Sequence, residues 1–339
     1  MWPAAETSPY PGKLAAMFAV TAESIDPADP LSGLGLGDHP VPTAREGWTT
    51  VAMRAAALNH HDLWTLKGVG ISADRLPIIL GGDAAGIDES GREVIVHAVI
   101  GDVAAGAGDE TLDPRRSLLS EVYDGTFAER IAVPVRNLVP KPAGMSWAQA
   151  ACLPTAWLTA YRMIFVRSGA RSGDTILVQG AGGGVATALI MLAHAGGFRV
   201  WATSRDADRR DRALELGADA VFEPGTRLPE RVDVVMETVG AATWDHSLKA
   251  LKPGGRIVVC GATSGANPPA DLNRIFFLQL SVVGSTMGTL DELVALVDFC
   301  VAHDVRPLVD STFDLHDARS AFERLASGQG FGKIVLRND

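Results

Sequence analysis

Cysteine is scarce in this 339-residue chain: Cys152, Cys260 and Cys300 are the only three, and no two form a CxxC pair. That excludes a four-cysteine zinc lobe and argues against a disulfide framework, so a reducing cytoplasm is the expected compartment. Positive charge is also in deficit. Lys and Arg number 30 against 40 Asp and Glu, a net −10, and neither nucleic acid nor an anionic membrane is expected as the main partner of so acidic a chain. Long apolar runs are missing too. The N-terminal stretch Leu14 to Val20 is too short to span a bilayer and lacks the basic flank of a signal peptide.

What is present suits a globular protein of two domains, with 47% hydrophobic and 21% charged residues. Residues 1–45 carry Pro3, Pro9, Pro11, Pro27, Pro30, Pro40 and Pro42, which favour turns between short strands. Strand-like runs follow at Thr49 to Leu58, Val94 to Ile100 and Phe127 to Val133, and the glycine-rich, acidic stretch 101–113 reads as a mobile loop. From Ser146 onward the pattern alternates. Helices are expected at Ser146 to Ala160, Val185 to Ala195, Arg209 to Leu216 and Thr243 to Leu251. Strands are expected at Thr175 to Gln179, Phe198 to Thr203, Ala220 to Phe222, Val232 to Glu237 and Arg256 to Cys260, with Pro253-Gly254-Gly255 closing the preceding helix. Such alternation predicts an α/β fold with a doubly wound parallel sheet. Further helices at Leu290 to His303 and Ala318 to Leu325 and a strand at Lys333 to Leu336 read as a return to the first, β-rich domain.

The most informative segment is Gly180-Ala181-Gly182-Gly183-Gly184, set between a β-branched strand and a helix opening at Val185. Residues without side chains let the backbone turn sharply and let a pyrophosphate approach the amides at a helix N-terminus. With a second strand following, the unit reads as a Rossmann dinucleotide site in which Gly180, Gly182, Gly183, Gly184 and Val185 bind cofactor. The second strand ends Thr203-Ser204-Arg205, without the acid that grips the ribose of NAD. Ser204 and Arg205 suit a 2′-phosphate instead, so NADPH is expected ahead of NADH.

Several further segments occur in a characteristic order. They are Leu58-Asn59-His60-His61-Asp62 with Gly68, Leu80 to Gly86, Asp124-Gly125-Thr126-Phe127-Ala128-Glu129, the glycine turn, Leu216-Gly217-Ala218-Asp219, Leu251 to Arg256, Gly261-Ala262-Thr263-Ser264-Gly265 and Gly332-Lys333. Together they resemble the medium-chain dehydrogenase/reductase superfamily, and within it the zinc-free, quinone oxidoreductase-like branch. The resemblance covers nearly the whole chain. It implies a GroES-like catalytic domain (1–138) split around the Rossmann domain (139–284), with 285–339 returning to the catalytic domain and the active site in the cleft between them. Ala186 replaces the last glycine of the family's turn, an accepted substitute for helix packing.

The same resemblance places Asn59, Gly82 with Asp83, and Thr155 where zinc-dependent relatives carry metal ligands, so no zinc is expected. Hydride transfer from the nicotinamide to a small electrophile, a quinone or an activated alkene such as an enone, is then the expected reaction, needing no Lewis acid. Asn59 is the first candidate to donate to the developing oxyanion. His60 and His61 are candidate proton donors or plain helix residues, and Trp64 a pocket wall or a core ring. Asp62 reads as a helix cap and Lys67 as solvated surface. Thr155 and Thr159 are expected to face the nicotinamide or to bond their own helix, and Gly261, Ala262 and Thr263 to complete the cofactor site. The tyrosines that quinone-reducing relatives often carry near the position of Trp64 are absent. Alternatives are an enoyl-thioester reductase, an alcohol dehydrogenase, or a cofactor- or RNA-binding protein without turnover. A homodimer is expected through pairing of the strand-like Leu280 to Gly284.

Overall fold

A computed structural model describes residues 16–338; Pro3, Pro9, Pro11 and the start of the Leu14 to Val20 run lie outside them. The first domain opens with β1 (Ala16–Ala22), β2 (Leu34–Pro40) and β3 (Trp48–Ala57), followed by α1 (His60–Leu66). Its strands continue as β4 (Ile78–Ile79), β5 (Asp83–Asp88), β6 (Glu93–Val96), β7 (Val99–Ile100), β8 (Ser117–Leu118), β9 (Arg130–Pro134) and β10 (Leu138–Pro140). The helical stretch after Ser146 comprises α2 (Trp147–Ala151) and α3 (Leu158–Tyr161), with wide π turns at Leu153–Trp157 and Arg162–Arg167. It therefore runs past the expected end at Ala160. Pro154 accounts for the first wide turn, since it lacks an N–H and its ring crowds the preceding turn.

The second domain is built from β11 (Thr175–Val178), α4 (Gly184–Ala195), β12 (Arg199–Thr203), α5 (Ala207–Glu215), β13 (Ala220–Phe222), β14 (Val232–Glu237), α6 (Ala241–Ala250), β15 (Leu251–Val259), α7 (Leu272–Phe277) and β16 (Ser281–Gly284). The strands pair in parallel in the order β13-β12-β11-β14-β15-β16. That is the doubly wound sheet read from the alternation. The glycine turn leaves β11 at the carboxyl ends of the strands, where the order reverses. One boundary is corrected. Pro253-Gly254-Gly255 lies inside β15, because the register against β14 jumps from Val232↔Leu251 to Val234↔Arg256 and the bulge absorbs these residues.

Next come α8 (Leu290–Ala302), β17 (Val309–Asp314), α9 (Ala318–Ser327) and β18 (Lys333–Arg337). Helix α8 buries Leu293, Leu296 and Val297 in one apolar cluster with Ile176 and Val178. Strands β17 and β18 then join the first sheet. There the order is β10-β6-β5-β3-β18-β17, with β9 also on β3. Val335, Leu336 and Arg337 run antiparallel to Ala57, Ala56 and Ala55, and the Leu58 amide donates to the Ile334 carbonyl at 2.9 Å. The end of the chain is therefore locked beside the start of α1.

The stretch 101–113 is pinned rather than free. Glu110, Thr111 and Asp113 are buried, Asp113 accepts the amides of Asp102 and Arg115, and Arg162 pairs with Asp109 and with Glu292 of α8. Burying these charges is tolerable only because each has a partner. Among the described residues no helix is long and apolar enough to cross a membrane, and Cys152, Cys260 and Cys300 are free thiols.

Candidate active site

A cleft of about 380 Å³ opens between the domains. One wall is the start of α1, with Asn59, His60, His61 and Trp64; the other is the glycine turn from Gly182 to Val185, and Thr155 and Thr159 close the back. These residues, far apart in the chain, are brought together as expected of a shared site. Gly180, Ser204, Arg205, Gly261, Ala262 and Thr263 do not line this cleft; Cys260, Leu118, Met287, Arg209 and Lys333 do.

The start of α1 is set by a reciprocal cap. Asn59 is extended, and its amide donates to the Asp62 carboxylate at 2.7 Å, the capping role read for Asp62. Burial pushes the Asp62 carboxyl up to about 6, against the pull of His61, the Asn59 amide and Lys333. The side chain of Asn59 departs from its expected role. Its two amide hydrogens go to Asp83 Oδ2 at 2.9 Å and to the Ala57 carbonyl at 3.3 Å, and its Oδ1 accepts from Lys333 Nζ at 2.6 Å. No donor is left over for a substrate oxygen.

Lys333 is the residue that sequence reasoning missed, having registered only as half of a Gly-Lys pair before the last strand. Its side chain is 2% exposed, and besides Asn59 it reaches the Leu58 carbonyl at 2.7 Å and Asp83 Oδ2 at 3.1 Å. Asp83 is fully buried, and its Oδ1 has no partner among the described residues. A Cβ built on Gly82 would stand 3.5 Å from Thr155 Oγ1, so Thr155 lies beside the Gly82-Asp83 segment. Asn59 and Asp83 converge on an ammonium. This donor set has no thiolate or imidazole and does not fit a zinc ion. Among the described residues no group of three or more His, Cys, Asp or Glu is placed to hold a metal.

The two histidines separate. His61 Nε2 lies 3.1 Å from Glu121 Oε1; burial works against its charge, but the Glu121 hydrogen bond and the charges of Asp62 and Glu121 raise its pKa overall. His60 has no hydrogen-bond partner among the described residues. Desolvation, with the Lys333 and Lys67 ammonium groups, holds its pKa below the ordinary imidazole value. It therefore faces the cleft as a neutral ring that donates one N–H. Trp64 stands beside it with ring centroids 6.5 Å apart. The Thr155 hydroxyl, on the wide turn at Pro154, is likewise without a partner among the described residues. The thiols of Cys152, Cys260 and Cys300 are pushed up to about 12 by burial and are not nucleophiles.

The glycine turn fits a dinucleotide. Gly180 has φ +91°, a conformation L side chains avoid, and donates to Thr203 Oγ1 at 3.2 Å. Nothing lies within 4 Å of a Cβ position on Gly183, which caps the twelve-residue α4 and leaves room for a phosphate at its amides. Arg209 covers the turn: a Cβ on Gly182 would meet its Nη1 at 2.8 Å, and the guanidinium donates to the carbonyls of Gly328 and Gly330. Arg205, the expected phosphate ligand, is exposed outside the cleft, and the Ser204 hydroxyl accepts the Asp206 amide. The signal for Arg209 was its place one turn into the helix after the second strand, which directs it back over the glycines.

Comparison with known proteins agrees with this architecture. Residues 45–143 match the model of the alcohol dehydrogenase GroES-like domain and residues 184–302 that of the zinc-binding dehydrogenase. The chain is similar to acryloyl-coenzyme A reductase of Sulfurisphaera tokodaii, 28% identical over 328 residues, covering 91% of this chain and 97% of that protein. It is also similar to crotonyl-CoA carboxylase/reductase of Cereibacter sphaeroides, 26% identical over 332 residues, covering 82% and 77% of the two. A solved NAD-dependent alcohol dehydrogenase superposes with a TM-score of 0.88 at 33% identity, over 95% of this chain and all of that one. With its split first domain, its doubly wound second domain and a dinucleotide turn facing their common cleft, the chain belongs to the medium-chain dehydrogenase/reductase superfamily and is an NAD(P)-dependent oxidoreductase.

Proposed function

We propose that this enzyme reduces a carbon–carbon double bond conjugated to a thioester, using NADPH and no zinc. The observation that carries the reading is the cleft, where Asn59 and Asp83 hold an ammonium and His60 and Thr155 offer unused donors. Such a site suits an acceptor whose carbonyl oxygen gathers charge; an alcohol calls for a Lewis acid that these side chains do not fit. The relatives named for acryloyl-CoA and crotonyl-CoA favour a thioester over the quinone or enone first expected. When bound, the cofactor supplies a hydride. The substrate's β-carbon takes that hydride, the π pair moves onto the thioester oxygen, and a proton delivered from water to the α-carbon gives the saturated thioester. His60 and Thr155 donate to the oxygen while it is anionic, and Lys333 and Asn59 keep the wall around it fixed. The glycine turn takes the pyrophosphate, and Arg209, with the carbonyls of Gly328 and Gly330 as its resting partners, turns to the 2′-phosphate.

A homodimer is part of this reading. Strand β16 is the sheet edge, and beside it Leu272, Phe276, Phe277 and Val282 are exposed, an apolar face that a second copy would cover by two-fold edge pairing. The three free thiols, with Cys152 and Cys300 buried, support the reducing cytoplasm as its compartment.

Nicotinamide absorbance, followed with a panel of 2-enoyl thioesters, an enone, a quinone and short-chain alcohols, is expected to give its highest kcat/KM with an enoyl thioester, unchanged by strong chelator. Turnover confined to alcohols and abolished by chelator would sink the proposal, and no oxidation with any acceptor would point to a pure binder. His60→Ala is expected to slow the chemical step by about 10²–10³, the usual loss for a donor aimed at an oxyanion, with NADPH affinity kept; a wild-type rate would remove His60 from the site. Titration with each cofactor is expected to show Arg209→Ala losing about 1–3 kcal/mol of NADPH binding and almost none of NADH binding; equal losses would place Arg209 elsewhere. Light scattering at micromolar concentration is expected to give twice the 35.6 kDa chain mass, and a monomer mass would reject the β16 pairing.

A further inference from the structure

We propose that the Lys333 ammonium is the fixed cation of this cleft, a positioning residue that supplies the positive charge opposite the oxygen that turns anionic during reduction. The inference rests on the reductase reading above but names the group that substitutes for a metal.

Three features carry it. The ammonium has three N–H groups and three acceptors, the Leu58 carbonyl, Asn59 Oδ1 and Asp83 Oδ2, so its position is fully determined. Its stem lies against the dinucleotide turn, for a Cβ on Gly184 would stand 2.7 Å from Lys333 Cδ. The charge is thus held between the cofactor turn and the start of α1, beside the free ring of His60. Finally, a buried ion pair is a poor choice for stability alone, because apolar residues of the same shape commonly serve as well or better. The buried Lys333–Asp83 pair, with Asn59 beside it in the wall of the reaction cleft, therefore points to use of the charge. A divalent ion entering here would have to displace the ammonium from both Asn59 and Asp83.

The charge also helps to make His60 a donor and not an acid. Desolvation does most to lower its pKa, and the Lys333 ammonium, with Lys67, adds to it by disfavouring a second positive charge nearby, which favours the neutral ring with an N–H for the substrate oxygen.

The test uses the full-length protein and the acceptor that the wild type reduces fastest, so a failure of the thioester reading leaves it intact. Lys333→Met leaves Asp83 charged without its partner and is expected to lower the melting temperature; Lys333→Met with Asp83→Asn removes both charges and is expected to restore it. Without cofactor turnover, the double variant should still bind NADPH about as tightly as the wild type. Its kcat should fall by about 10²–10³, and the isotope effect from NADPH deuterated at the transferred position should grow as the chemical step becomes limiting. Lys333→Arg, which keeps the charge, should retain more turnover than either neutral variant. A double variant that melts and turns over like the wild type would overturn the proposal and make the pair a structural one. Equal losses in Lys333→Arg and Lys333→Met would overturn it as well.

Discussion

A buried ammonium must be met by acceptors, and Lys333 meets its own on two other stretches of chain, at Leu58-Asn59 and at Asp83. That requirement organises much of the site. It draws β18 against β3, it turns the Asn59 amide so that its oxygen faces the lysine, and it fills the space over Gly184 so that only glycine fits there. Removing one partner of such a pair typically costs about 3–5 kcal/mol, since the other is left buried and charged. The same bonds explain why Asn59 has become part of the frame and His60 is the side chain left facing the cleft.

The two domains are joined at the cofactor turn by contacts of the same economy. Arg324 holds Asp310 with bonds of 2.6 and 3.0 Å, Asp310 accepts the Phe331 amide, and the Gly332 amide donates to the Gly182 carbonyl at 2.9 Å. Arg209 spans the same gap from the other side. On the proposed reading, the phosphate site at Gly183 adjoins the segment that leads into Lys333, and binding and chemistry would share one short stretch of backbone.

The fold was legible because its signals are local. Alternating apolar runs and a glycine turn announce a doubly wound sheet, and elements such as Ala220–Phe222 and Val232–Glu237 fall where the pattern put them. The failures have physical causes. Pro253-Gly254-Gly255 reads as a helix stop because a strand bulge leaves no periodic trace, and the wide turns at Leu153–Trp157 and Arg162–Arg167 break the 3.6-residue period of a helix that runs past its expected end at Ala160. At the site, Asn59, His60 and Thr155 were placed from their segments, but their hydrogen-bond partners were not. A partner such as Lys333, 274 residues from Asn59, is set by tertiary packing and carries no local signal. Arg205 sits before the Asp206 cap of α5 and is exposed, while Arg209, inside the helix, lies over the cofactor turn.

The most direct test of this account is a crystal structure of the protein with NADPH and a saturated thioester. The account predicts the thioester oxygen within hydrogen-bond distance of His60 and Thr155, the 2′-phosphate on Arg209, and the ammonium of Lys333 still seated between Asn59 and Asp83. A metal ion bound between Asn59 and Asp83 with the thioester oxygen on it, or an oxygen bonded to the Asn59 amide with His60 turned away, would contradict it.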